Sequence, residues 1–122
     1  MPNVVFFEIG ADDPEKAAIF YSRVFGWEIR QEDDGAQYWY LTTGDEDNPG
    51  IQGGLSRRFN DLASTVNTIE VPSLDQAARI ITEEGGRVLA PKIAIPGEGY
   101  IQYCEDLEGN VFGIMEFDEH PA

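Results

Sequence analysis

Few residues of this chain have the means to do chemistry, and Glu8 is the most informative of them. It interrupts the apolar run Val4-Val5-Phe6-Phe7-Glu8-Ile9, and a carboxylate in such company either pairs with a base such as Arg30 or Arg57 or meets a donor on a ligand. Desolvated and unpaired, it would hold its proton more tightly and become a candidate general base. The single cysteine, Cys104, has no evident base beside it, and no serine stands in a recognisable nucleophile elbow. Cys104 therefore reads as a small buried filler. One cysteine excludes an internal disulfide and a cysteine-based metal site, and the single histidine, His120, stands in the C-terminal tail. Oxygens for a hard cation such as Mg²⁺ or Ca²⁺ are available on Glu8, Glu70, Glu105 and Glu116, though solvation accounts for most of the acids.

Charge narrows the partners. Eight basic against 23 acidic residues give a net charge of −15, which disfavours nucleic acid, because phosphate binding rests on Lys and Arg. Such a field attracts cationic ligands or simply keeps the protein apart from its neighbours. Many acids stand in loops or near the ends (Glu32-Asp33-Asp34, Asp45-Glu46-Asp47, Asp118-Glu119), which suits solvation. No apolar run reaches the roughly 18 residues of a membrane span, and Met1-Pro2-Asn3-Val4 lacks the features of a secretory signal. No membrane partner and a cytoplasmic location are expected.

The elements that must position Glu8 come as a repeat. Asp13 to Trp27 has a second copy sixty residues on, with Asp13 on Ser73, Ala17-Ala18 on Ala77-Ala78, Phe20-Tyr21 on Ile80-Ile81 and Gly26 on Gly86. Each copy reads as a helix, capped by Asp13 with Pro14 in the first turn or by Ser73, and stopped by Gly26 or Gly85-Gly86. Ala17, Phe20, Tyr21 and Val24 have the spacing of one buried face, repeated by Ala77, Ile80 and Ile81. Internal repeats mean one structural unit used twice.

The first copy is preceded by a strand over Val4–Ile9 and followed by strands over Trp27–Gln31, Gln37–Thr43 and Ile51–Ser56, with a turn at Asp33-Asp34-Gly35. Gly53 and Gly54 mark a bulge or a close approach to the backbone. Arg57 to Asp61 connects the halves, and from Ala63 the order restarts: strand Thr65–Val71, the second helix, then strands Arg87–Ala90, Tyr100–Cys104 and Val111–Phe117. Pro91 ends its strand or places it at an edge. One α+β domain of two tandem modules, about 1–60 and 61–122, is expected, each strand, helix, strand, strand, strand. Neither module has enough apolar surface to stand alone, so the two should pack around a shared cleft. By the period-2 rule Phe6 and Glu8 share the face turned from the helix.

Two stretches carry a resemblance: Asp12-Asp13-Pro14-Glu15-Lys16-Ala17 with Phe20-Tyr21 and Phe25-Gly26-Trp27, and Glu105-Asp106-Leu107-Glu108-Gly109-Asn110-Val111-Phe112-Gly113. With βαβββ twice over, the whole chain resembles the vicinal oxygen chelate superfamily, which includes glyoxalases, bleomycin resistance proteins and extradiol dioxygenases. Leu107 stands where the family usually has Pro. The resemblance implies a curved mixed sheet around a cleft. In metal-dependent members His, Gln or Glu side chains of the first and last strands of each module hold a divalent ion. Those four positions fall here on Phe6, Gly53 or Gly54, Val66 and Gly113, none of which can ligate, so no metal and no cofactor are expected. The shift of sixty pairs Phe6 with Val66 and Gly53 with Gly113.

What remains is a pocket of apolar and aromatic side chains with a few polar groups, the usual make-up of a small-molecule site. Strand parity assigns to it Phe6, Glu8, Val66, Thr68, Tyr103, Gly113 and Met115. Which of Tyr38, Trp39 and Tyr40 face in is left open. The resemblance implies a metal-free, homodimeric small-molecule-binding protein of unknown ligand. The alternatives are a lyase or dioxygenase-like enzyme with unconventional metal ligands, an isomerase using Glu8 and Tyr103, or a structural module whose dimer surface is its product.

Overall fold

The computed structural model describes residues 1–32, 37–58 and 65–121. Its elements run β1 (Asn3–Ala11), α1 (Pro14–Phe25), β2 (Glu28–Gln31), β3 (Tyr38–Thr42), β4 (Gln52–Arg57), β5 (Thr65–Glu70), α2 (Leu74–Glu83), β6 (Arg87–Val88), β7 (Ile93–Ile95), β8 (Gly99–Glu105) and β9 (Val111–Phe117). The expected turn at Asp33-Asp34-Gly35 and the part of the connection from Phe59 onward lie outside the described residues. Contacts gather the chain into two compact units, Phe6–Val66, and Asn67–Ala122 with Met1–Val5.

Both helices begin and end as their residue types dictate. The Asp13 carboxylate accepts the Lys16 N–H at 3.2 Å, Pro14 occupies the first turn, and Gly26 closes α1 at φ 73° with its N–H donating to the Ser22 carbonyl at 2.9 Å. Ser73 Oγ accepts the Gln76 N–H at 3.2 Å, and Glu116 Oε1 on β9 accepts the Leu74 N–H at 2.8 Å, tying the start of α2 to the sheet of its own unit.

The buried helical face is narrower than the spacing predicts. Pro14 and Ala18 are buried and Ala17 packs with them, whereas Phe20 and Val24 are 57% and 53% exposed. In α2 the same shift recurs: Ala77, Ala78 and Ile81 pack on the core and Ile80 is 48% exposed. Where the helices meet the sheets, Ala17-Ala18 and Ala77-Ala78 supply small residues that allow close approach, with Leu74 and Ile81 packed beside them in α2.

In the Phe6–Val66 unit β4 lies between β1, which it meets in parallel, and β3, which it meets antiparallel; β2 pairs outside β3. Leu41, Leu55 and Ala18 form the buried centre, with Phe7, Ile9 and Trp39 against it. In the Asn67–Ala122 unit β9 lies between parallel β5 and antiparallel β8, and Leu74, Cys104 and Ile114 form the centre.

The expected strand Arg87–Ala90 ends at Val88, and Ile93–Ile95 forms a strand where none was expected. Both pieces pair with β8, Val88 opposite Cys104 and Ile93 opposite Ile101, so they are one edge strand with a break in it. Pro91 has no N–H to give to a ladder. At the break the Leu89 N–H donates to the Tyr103 carbonyl and the Gln102 side-chain amide donates to the Ala90 carbonyl, both at 2.9 Å. Among the described residues no helix is long and apolar enough to cross a membrane.

Candidate functional site

Strand register decides which side chains share a face. In the Phe6–Val66 unit Phe6 lies opposite Gln52, Glu8 opposite Gly54, Tyr40 opposite Gly54 and Tyr38 opposite Ser56. Alternation then sets Phe6, Glu8, Tyr38, Tyr40, Gln52 and Gly54 on one face, while Phe7, Ile9, Trp39 and Leu55 turn to the α1 side. Tyr38 and Tyr40 thus join Glu8, and Trp39 does not.

The two glycines of β4 are explained by what lies over each. A Cβ at Gly53 would come within 2.5 Å of the Phe7 ring on the helix side. A Cβ at Gly54 would stand where the Tyr38 phenol oxygen is, on the Glu8 side. The Tyr38 and Tyr40 rings meet edge to face with centroids 5.2 Å apart, and the Arg30 guanidinium lies 5.1 Å from the centre of the Tyr40 ring. Of the two bases offered as partners for Glu8, Arg30 makes this ring contact, and Arg57 donates to Gln37 Oε1 at 3.2 Å and to the Asp12 carbonyl at 3.1 Å. Glu8 itself is half-buried and already engaged by a neighbour, so it is no isolated carboxylate.

In the Asn67–Ala122 unit Gly113 lies opposite both Thr68 and Tyr103, and Met115 opposite Glu70 and Ile101. Thr68, Tyr103, Gly113 and Met115 therefore share one face. Thr68 is wholly buried, and its Oγ1 has no hydrogen-bond partner among the described residues. A Cβ at Gly113 would lie 3.0 Å from that oxygen, so glycine here leaves the hydroxyl room. Val66, two residues before Thr68 on β5, is buried at 3% exposure.

The register also corrects the match between the modules. Glu8 opposite Gly54 corresponds to Thr68 opposite Gly113, so Gly54 and not Gly53 is the counterpart of Gly113. Phe6, Gly54, Val66 and Gly113 offer carbon, hydrogen and nothing that ligates, and these side chains do not fit a divalent ion. Gln52, opposite Phe6, is the donor-bearing residue that sequence reasoning passed over, and its Oε1 accepts the Thr43 N–H at 3.0 Å. Its signal was present in the alternation Gln52, Gly54, Ser56 once Gly54 is fixed to the Glu8 face.

The other acids disperse. Glu116 turns to α2, Glu105 pairs with Arg87 at 3.4 Å, and Glu70 and Glu105 lie level with Met115 and Val111. Those levels are about 13 Å apart along a strand, too far for one ion. Among the described residues no three His, Cys, Asp or Glu side chains gather to hold a metal. Cys104 faces the core under α2, fully buried, and burial pushes its thiol pKa up, away from the thiolate a nucleophile needs.

A family model described as a glyoxalase-like domain matches residues 4–115. The chain belongs to that family. The fold of this glyoxalase-like protein is shared by a glyoxalase/bleomycin resistance protein/dioxygenase superfamily member from Vibrio splendidus 12B01, at a TM-score of 0.70 and 16% identity over 95% of this chain and 99% of that one. It is shared too by a methylmalonyl-CoA epimerase of Streptomyces coelicolor in complex with 2-nitronate-propionyl-CoA, at 0.68 and 14% over 98% and 97%. The methylmalonyl-CoA epimerase of Mycobacterium tuberculosis gives 0.64 and 14% over 94% and 87%. No curated protein sequence matches the chain.

Proposed function

We propose that this glyoxalase-like protein binds a small organic molecule on the sheet face that carries Glu8, Tyr38 and Tyr40, as a cytoplasmic homodimer. The observation that carries the reading is the stacking of features at one point: Glu8 opposite Gly54, and the Tyr38 phenol laid over Gly54. A half-buried carboxylate beside two tyrosine rings suits a ligand with a flat face and a positive or hydrogen-bond-donating group. The net charge of −15 favours the same class. Phe6 supplies apolar surface next to Glu8. In the Asn67–Ala122 unit, taken by itself, we give Thr68 a ligand contact of its own, because its buried hydroxyl has no partner among the described residues; Tyr103, Gly113 and Met115 share its face.

The epimerase relatives by fold take an acyl-coenzyme A, a polyanion that calls for Arg and Lys. An acidic chain with Glu8 at this face argues for a different substrate class. A second reading, proton abstraction by Glu8 from a bound carbon acid, draws support from the Tyr38 phenol oxygen over the residue opposite Glu8, where it can donate to a developing oxyanion.

A thermal-shift screen of planar cations and cationic glycopeptides tests the binding function. Compounds that raise the melting temperature of the wild type and not of Glu8→Gln support it. A screen that stabilises nothing, or hits indifferent to Glu8→Gln, sinks it.

A further inference from the structure

β2 is an edge strand with an open ladder. Its one strand neighbour among the described residues is β3. The Glu32 N–H donates to the Tyr38 carbonyl at 3.0 Å, which makes Glu32 and Tyr38 a hydrogen-bonded pair and, by alternation, Arg30 with Tyr40 and Glu28 with Thr42 as well. Ile29 therefore directs its N–H and C=O away from β3, to the open edge. Edges are ordinarily blunted by Pro, Lys or a bulge. The β6 and β7 edge has all three kinds of protection, with Pro91, Lys92 and the break between the two pieces. Glu28-Ile29-Arg30-Gln31 has no Pro, Lys or bulge; its protection is its shortness and the charges of Glu28 and Arg30, and those charges are ones a second copy can pair.

The strand is complementary to itself. If two copies pair antiparallel with Ile29 opposite Ile29 of the partner subunit, Glu28 falls opposite the partner's Arg30 and Arg30 opposite the partner's Glu28. The central pair exchanges both of its hydrogen bonds, and the flanking charged pairs fall at the closer spacing of about 4.5 Å between Cα atoms, with side chains on one face. Glu28 and Arg30 are both exposed, and neither has an ion-pair partner among the described residues. On the opposite side of β2 a groove of about 440 Å³ runs between the strand and α1, lined by the apolar Ala18, Ile19, Ile29 and Trp39 and by the polar Glu15, Ser22, Arg23 and Gln31. Ile19 is 48% exposed there, apolar surface for a second copy to cover and a necessary addition to a short strand, since a stable interface takes roughly 800 Å² per partner.

We propose that β2 is the seam of a twofold dimer, two copies joined as one continued sheet about Ile29 with crossed Glu28 to Arg30 ion pairs. This rests on the homodimer in the proposed function and supplies its surface. The pairing is isologous, so it closes at two copies and leaves no free edge at β2.

Sedimentation velocity on the wild type, Arg30→Glu, Glu28→Arg and the double reversal Glu28→Arg/Arg30→Glu tests it, with circular dichroism to confirm that each is folded. We expect a wild-type dimer, at least about a tenfold weaker association in either single reversal, where like charges meet twice across the axis, and recovery in the double reversal. Single reversals that sediment as the wild-type dimer would move the seam elsewhere and leave the homodimer standing. A monomeric wild type would remove both. A double reversal that stays dissociated while the singles dissociate would overturn the register about Ile29.

Discussion

Tyr38 fits against Gly54 because Gly54 has no side chain: the phenol oxygen fills the space a Cβ would take, and it does so on the strand residue opposite Glu8. Gly54→Ala must push the ring aside, at a cost of about 1 to 2 kcal/mol, since the displaced group is the far end of one side chain. In a Tyr38→Ala background the same substitution should cost much less, because nothing stands over the strand. Urea denaturation of the four proteins reads this coupling directly. Equal costs with and without the tyrosine would deny the contact.

Thr68 presents the opposite case, a buried polar atom without a protein partner. Thr68→Val keeps the shape and removes the hydroxyl, so the free protein should gain about 1 kcal/mol while losing affinity for a compound bound at Thr68. Denaturation together with calorimetric titration separates the two effects. A variant that is destabilised would mean that the hydroxyl is satisfied in solution without ligand.

Asp106 organises the turn into β9. Its Oδ1 accepts the Glu108 N–H at 2.8 Å and the Asn110 N–H at 3.0 Å, and the Asn110 side-chain amide donates to Oδ2 at 3.0 Å. The Asn110 side chain first, then the two backbone N–H groups, lower its pKa. A depressed carboxyl stabilises the fold above its unfolded value near 3.9, and that contribution is lost as pH falls through the lower folded value. Melting temperatures followed below about pH 4 should therefore fall more steeply for the wild type than for Asp106→Asn. Parallel curves would remove Asp106 from the acid transition.

Cys104 is expected to be inert in the folded protein. Its burial under α2 raises the thiol pKa, so the folded state stays protonated while the unfolded chain ionises above about pH 8.5. Stability should decline above that pH for the wild type and not for Cys104→Ala, which itself costs about 1 to 2 kcal/mol as a small cavity. Iodoacetamide should label the native protein slowly and the unfolded protein at once. Rapid native labelling would place the thiol at the surface.

Much of the fold was legible because local chemistry and tertiary structure agree. Asp13, Pro14 and Gly26 bound α1 as their types require, and Ser73 does so for α2. The Phe6 and Glu8 parity was readable for the same reason. What the pattern concealed depended on partners far along the chain. Phe20, Val24 and Ile80 have the spacing of a buried face, yet Ala17-Ala18 and Ala77-Ala78 meet the sheets instead, because closeness favours small residues. β7 follows Pro91-Lys92 and owes its pairing to β8, with Gln102 filling the ladder at the break. Gly53 and Gly54 are indistinguishable as letters, and only Phe7 on one side and Tyr38 on the other tell them apart. The same register separates Tyr38 and Tyr40 from Trp39.

The central claim, a ligand at the Glu8 face, is tested most directly by backbone amide chemical-shift mapping of the best stabilising planar cation on isotope-labelled protein. We expect perturbations that saturate with compound and centre on Phe6 to Glu8, Tyr38 to Tyr40 and Gly53 to Gly54, and that vanish in Glu8→Gln. Perturbations confined to the outer face of α1, at Ile19 to Phe25, or none at any concentration, would contradict it.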